Sequence, residues 1–96
     1  MKNREEIEKI LKSFKPTLSD KFKIKEIGVF GSYAREEESE VSDVDILVEF
    51  YEPVGWEFID LKEFLEELLG IKVDLVTVKA LKTRMRETIL KEVVYI

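Results

Sequence analysis

The stretch IGVFGSYAREEESEVSDVDILVEF, residues 27–50, decides how this chain folds. Two runs of β-forming residues bracket a Gly-Ser step and a polar, acid-rich loop. Ile24, Ile27, Val29 and Phe30 predict a strand from Ile24 to Phe30 that runs into Gly31-Ser32. Val44, Ile46 and Val48 share one face of a second predicted strand, Val44 to Phe50, and Asp43 and Asp45 share the other. Tyr33 to Glu38 reads as a short helix, followed by a polar loop through Ser42. That connection is too short for a standard crossover helix, so the sheet is expected to be mixed rather than wholly parallel.

Outward from this centre the pattern alternates helix and strand. Ile7, Ile10, Leu11 and Phe14 recur at helical spacing from Arg4 to Phe14, with Asn3 as N-cap and Glu5 and Glu6 at the positive end of the dipole. Pro16 stands just beyond, where a helix would stop. Trp56 to Leu69 predicts an amphipathic helix ended by Gly70. Trp56 and Phe64 are read as core residues of that helix. Ile71 to Val78 is a third strand. Leu81 to Val93 is a last helix with Leu81, Met85, Ile89 and Leu90 turned inward. The order α-β-(α)-β-α-β-α describes an α/β (α+β) domain over residues 1–96, with a small mixed sheet of about three strands flanked by helices.

Composition narrows the chemistry. Of the 96 residues 45% are hydrophobic, enough for one core and little more. Cysteine is absent, which excludes disulfides and thiolate metal sites; histidine is absent too, which excludes imidazole as base or ligand. Acid–base or metal chemistry must run on carboxylates, hydroxyls or lysines. No apolar run approaches the roughly 18–20 residues of a membrane span, and the charged segment Met1 to Lys12 is unlike a secretory signal. A cytoplasmic chain with no membrane contact is the expectation. Charged residues reach 39%, with no glutamine and one asparagine, a bias typical of proteins from hot environments. The net charge of −5 argues against direct nucleic-acid binding, which depends on neutralising phosphates. Lys79, Lys82, Arg84, Arg86 and Lys91 nevertheless crowd the C-terminal segment. They form either a solvated helix face or a surface for phosphate or an acidic partner.

Three features are candidates for chemistry, and each has a plain structural alternative. Asp43 and Asp45 on one face of a strand repel each other unless a cation such as Mg²⁺ relieves them; otherwise they are a turn residue and a solvent-facing strand residue. Asp74, within Val73-Asp74-Leu75-Val76, either meets something positive or occupies an exposed position on an edge strand. Gly31-Ser32 either presents backbone N–H groups to a phosphate or makes an ordinary strand-to-helix turn.

The joint pattern is more specific than its parts. Gly31-Ser32-Tyr33-Ala34-Arg35, Ser42-Asp43-Val44-Asp45 and an isolated Asp74 in a later strand resemble the minimal nucleotidyltransferases of the DNA polymerase β-like superfamily. The pattern of that family is G-S-x-A-R, S-D-x-D and a distal Asp. The motifs span residues 31–74, and the element order agrees over nearly the whole chain. The resemblance implies a polymerase β-like nucleotidyltransferase fold. It implies that Gly31 and Ser32 contact the triphosphate of ATP, that Asp43 and Asp45 bind two Mg²⁺ ions, and that Asp74 completes the catalytic metal site near the attacking hydroxyl. Arg35 fits the motif's arginine, there to pair with phosphate or brace the loop. Tyr33 falls at a position the pattern leaves free. One position departs, since Glu36 stands where the family often has glycine. Nucleotidyl transfer needs little beyond positioning and electrostatics, so the lack of histidine and cysteine is no obstacle.

Minimal nucleotidyltransferases are commonly encoded beside HEPN ribonuclease toxins. The resemblance therefore implies an antitoxin that transfers AMP from ATP to a tyrosine of a HEPN partner. The chain ends within a few residues of its last predicted helix, so the acceptor is expected from a separate chain or from a homo-oligomer. Two alternatives stand beside this. One is a binding-only antitoxin that masks its partner; the other is the same chemistry on a small-molecule acceptor such as an aminoglycoside. The sequence leaves Tyr95 open between packing and interface.

Overall fold

A computed structural model describes residues 2–39 and 43–96. Ser42 of the S-D-x-D motif and the end of the preceding loop lie outside the described residues. The two central strands form where the alternation places them, as β1 (Ile24–Phe30) and β2 (Val44–Phe50). They pair antiparallel, with Val29 opposite Ile46 and Phe30 opposite Asp45. The third strand, β3 (Val73–Thr77), runs parallel to β2, with Val44 opposite Val73 and Asp45 opposite Asp74. A short strand, β4 (Val94–Tyr95), pairs antiparallel to the other edge of β1. The sheet is therefore mixed and has four strands in the order β3-β2-β1-β4, one more than the sequence predicts. Two residues give no periodicity to read, and this is why β4 escapes detection.

Period-two alternation sends the two faces of the sheet to different fates. Ile27, Val29, Val44, Ile46, Val48, Val73 and Leu75 are buried on one face. Three helices cover them: α1 (Arg4–Ser13), α2 (Lys15–Phe22) and α3 (Glu57–Leu69). These contribute Ile7, Leu11, Leu18, Phe22, Leu61, Leu65 and Leu69 to one continuous core. Each such side chain contributes about 1.5–3 kcal/mol by leaving water. Asn3 caps α1 as expected, its side chain accepting the Glu6 N–H at 3.0 Å. The helix α2 is a correction, because Pro16 does not end the helical region. Proline has no N–H to donate, and the first helical turn has no use for one, so Pro16 sits in the first turn of a new helix that starts after Phe14.

Among the described residues, the opposite face is covered by α4 (Thr83–Glu92), reached through a 3₁₀ turn at Val78–Ala80. Phe30, Leu47 and Ile89 are buried there, with Val76, Val78, Leu81 and Val93 packed around them. Met85 and Leu90, expected inward, are exposed, because a single short helix over a sheet buries one narrow stripe. Trp56 is likewise 78% exposed rather than core. It precedes α3 at the N-cap position, off the Leu61–Leu65–Leu69 stripe, whereas Phe64 does pack against the core. No helix among the described residues is long and apolar enough to cross a membrane.

Gly28 is what lets the C-terminal segment close over β1. A Cβ there would lie 2.6 Å from Val93 Cγ2 and 3.1 Å from the Val94 carbonyl oxygen. Gly28→Ala is expected to cost about 1–3 kcal/mol, as overpacking does, and to loosen β4 first. Urea unfolding gives the stability loss. Amide exchange at Val94–Ile96 shows whether that segment, rather than the α1–α3 core, takes up the strain.

Candidate active site

The register of the parallel pair puts two carboxylates side by side. Asp45 and Asp74 are direct partners on β2 and β3, on the face that α4 covers. Like charges facing each other across strands destabilise both. Asp45 is half-buried, and its pKa is pushed from 3.8 up to about 6. Burial is the first cause, the neighbouring Asp74 charge and its hydrogen bond the next, and the charges of Asp43 and Glu92 add to them. Asp43 stands exposed one residue before β2, and Asp74 is exposed on an edge strand. Asp74 thus occupies the exposed edge-strand position, and the group it faces is another carboxylate.

Gly31 makes room for this pair. Its φ of +75° lies in the left-handed region that glycine enters without penalty. A Cβ at this position would overlap the Asp45 carboxylate, lying 2.9 Å from its Cγ. The loop that follows is a series of turns and not the expected helix. The Arg35 N–H donates to the Gly31 carbonyl (3.1 Å) and the Glu37 N–H to the Ser32 carbonyl (2.8 Å). Glu36 then takes a φ of +58°, which stops helical propagation after a single turn. The sequence departure at Glu36 therefore falls on a position where glycine would be the easier residue. Tyr33 turns inward and is buried in the core.

Arg35 braces this loop. Its guanidinium meets Glu37 and Glu92, each at 3.0 Å, and both carboxylates hold it firmly protonated. Glu92, the last residue of α4, also accepts the Gly31 N–H at 3.0 Å through its other carboxylate oxygen. Sequence reasoning missed Glu92, because one of two acidic residues in a basic helix carries no local signal.

These groups line one cleft of ≈ 610 Å³ between the sheet and α4. Gly31, Arg35, Asp45, Asp74 and Glu92 form one side, and Lys82 and Arg84 contribute from the α4 end. Ser32 is half-buried and does not line it. The basic segment divides: Lys82 and Arg84 enter this cleft, Lys79 and Arg86 line a separate one, and Lys91 pairs with Glu87. Among the described residues no three carboxylates sit close enough to cage an ion by themselves. What the fold offers is an all-oxygen pair whose mutual repulsion a hard cation would relieve. That fits Mg²⁺, which is usually held by one or two carboxylates together with substrate phosphates.

The sequence matches the nucleotidyltransferase domain family over residues 6–96. It is 55% identical over 93 residues to the protein adenylyltransferase MntA of Thermococcus cleftensis, covering 96% of this chain and 94% of that one. A solved structure of a proposed minimal nucleotidyltransferase superposes with a TM-score of 0.83 at 35% identity, over 97% of this chain and 95% of that one. A toxin–antitoxin structure with AMP-PNP superposes with a TM-score of 0.69 at 25% identity, over 98% of this chain and 72% of that one.

The raised pKa of Asp45 makes a stability prediction. The folded chain keeps this proton up to about pH 6, whereas the unfolded chain releases it near 3.8. Between those values the folded state binds more protons, so this group's contribution falls as pH rises and levels off above 6. With EDTA present, Asp45→Asn should melt above wild type at neutral pH, and the gap should close as pH is lowered toward 4. Thermal unfolding followed by circular dichroism across this range checks it; a gap that ignores pH contradicts it.

Proposed function

The chain belongs to the nucleotidyltransferase domain family, among the minimal nucleotidyltransferases, and from that premise we propose a protein adenylyltransferase that serves as an antitoxin. ATP is the donor, and the acceptor is a tyrosine of a cognate HEPN toxin in the cytoplasm. The observation that carries this reading is the Asp45–Asp74 pair in register at the floor of a cleft rimmed by Lys82 and Arg84. Carboxylates alone would repel a triphosphate. Carboxylates that hold cations, set opposite basic side chains, would receive one. The likeness to an adenylyltransferase and to a toxin–antitoxin protein with an ATP analogue supports both the donor and the class of partner.

Each residue then has a physical role. Asp43, Asp45 and Asp74 would hold Mg²⁺, which when bound neutralises charge on the triphosphate and lowers the barrier for in-line displacement. Gly31 keeps a side chain out of the space beside Asp45, and its N–H, donated to the Glu92 carboxylate in this structure, suits an anion. Arg35 adds a cation to the same loop, and Ser32, half-buried beside the cleft rather than lining it, is the motif's further contact to phosphate. Lys82 and Arg84 face the same cleft and suit the charge that builds on the leaving pyrophosphate. Because β3 is an edge strand, Asp74 is the carboxylate that an acceptor arriving from outside reaches first. In the reaction the tyrosine oxygen bonds to the α-phosphorus, the bond to the β-phosphate oxygen breaks, and pyrophosphate leaves. The phenolic proton passes to a nearby carboxylate, for which Asp74 is the best placed.

Calorimetry of ATP with Mg²⁺, and again with EDTA, tests the site. Wild type should bind only with Mg²⁺, and Asp43→Asn/Asp45→Asn should lose binding by at least about a hundredfold, as expected when the carboxylates that hold the phosphate-bound cation are removed. Mass spectrometry of the partner after incubation with both proteins should find AMP on a tyrosine with wild type alone. Full neutralisation of the toxin by the double variant would instead favour masking of the partner without catalysis.

A further inference from the structure

Glu92 is a charged group of the cleft to which the reading above gives no part. Both of its carboxylate oxygens are engaged, Oε1 with the Gly31 N–H and Oε2 with Arg35 Nη1, each at 3.0 Å. Those donors belong to the loop that the nucleotide reading assigns to the triphosphate. A backbone N–H beside a guanidinium is also the donor set that suits two oxygens of a phosphate. A carboxylate presents the same charge sign and the same oxygen fork. Glu92 is held there although it shares the cleft with Asp45, whose pKa its charge helps to push upward. Its side chain is 22% exposed at the very end of α4, so a change of rotamer can carry it to solvent without unfolding the helix.

We infer that Glu92 is an internal stand-in for phosphate: its carboxylate occupies the Gly31 N–H and Arg35, and must yield them to an incoming nucleoside triphosphate. The inference rests on the nucleotide reading and adds a selectivity element to it. A single small anion gains little by exchanging with a tethered carboxylate. A polyphosphate, gripped at several points, replaces both bonds at once and gains the remaining contacts.

Calorimetry separates this from a mere brace by the sign of the effect. ATP and, separately, inorganic tripolyphosphate are titrated with Mg²⁺ into the wild-type chain, Glu92→Gln and Glu92→Gln/Asp45→Asn. Glutamine keeps an oxygen for the Gly31 N–H but removes the competing charge, so Kd should fall about tenfold for both probes. Unchanged or weaker binding to a folded Glu92→Gln chain, with Asp45→Asn still abolishing ATP binding, would overturn the inference and leave the nucleotide site standing. No ATP binding by any folded variant overturns both. Should Glu92→Gln fail to fold, the ¹³C signal of the Glu92 carboxyl group in labelled wild type decides. A shift on saturation with ATP supports displacement, and a signal that stays in place contradicts it.

Discussion

The structure depends on one juxtaposition: Asp45 and Asp74 sit opposite each other on adjacent parallel strands, carboxylate against carboxylate. Nothing in the hydrophobic pattern demands it. The alternate residues Val44, Ile46, Val48, Val73 and Leu75 would form the same core with uncharged residues at positions 45 and 74. Keeping two carboxylates there costs stability, and the cost appears as an Asp45 that holds its proton up to about pH 6. Strain of this kind concentrates where a ligand relieves it. The rest of the chain serves that row of residues. Three helices fix the sheet from behind, while the front is left largely open under the single helix α4.

The loop after β1 extends the same logic to the backbone. Gly31 is needed twice, once for its positive φ and once because any Cβ would enter the space of Asp45. Glu36 in a left-handed conformation then turns the chain back, and Arg35 fastens the result to α4 through Glu92. Sheet, loop and last helix are thereby joined at one point. Gly28 makes a matching concession on β1, leaving room for Val93 so that the C-terminal segment lies flat on the sheet edge. Two glycines of one strand and its exit therefore position both the site and the helix that roofs it.

Much of this was legible in the sequence, for physical reasons that also explain what was not. The central strands and α3 announce themselves because alternation and helical spacing act over seven or more residues. Asp45 and Asp74 share a face because strand alternation with a period of two puts them there, and Gly31 and Arg35 reach the same cleft through the loop after β1. Two elements escape the pattern and one that it suggests does not form. α2 was hidden by Pro16, which marks a helix start as readily as a stop. The supposed helix after Tyr33 fails because Glu36 breaks it at once, which no propensity scale registers. β4 is too short to carry a pattern. Trp56, Met85 and Leu90 were placed inside because hydrophobicity does not say how wide a stripe the partner surface covers. Glu92 was invisible because its meaning lies wholly in contacts 57 and 61 residues away in the chain.

The most direct test of this account is an NMR titration of the Asp45 side-chain carboxyl carbon, with EDTA and again with saturating Mg²⁺ and a non-hydrolysable ATP analogue. The account predicts a midpoint near pH 6 in EDTA, falling below the ordinary carboxylate range when cation and nucleotide are present. A midpoint at the ordinary carboxylate value under both conditions would contradict it, because Asp45 would then be neither strained by Asp74 nor relieved by a metal-bound nucleotide.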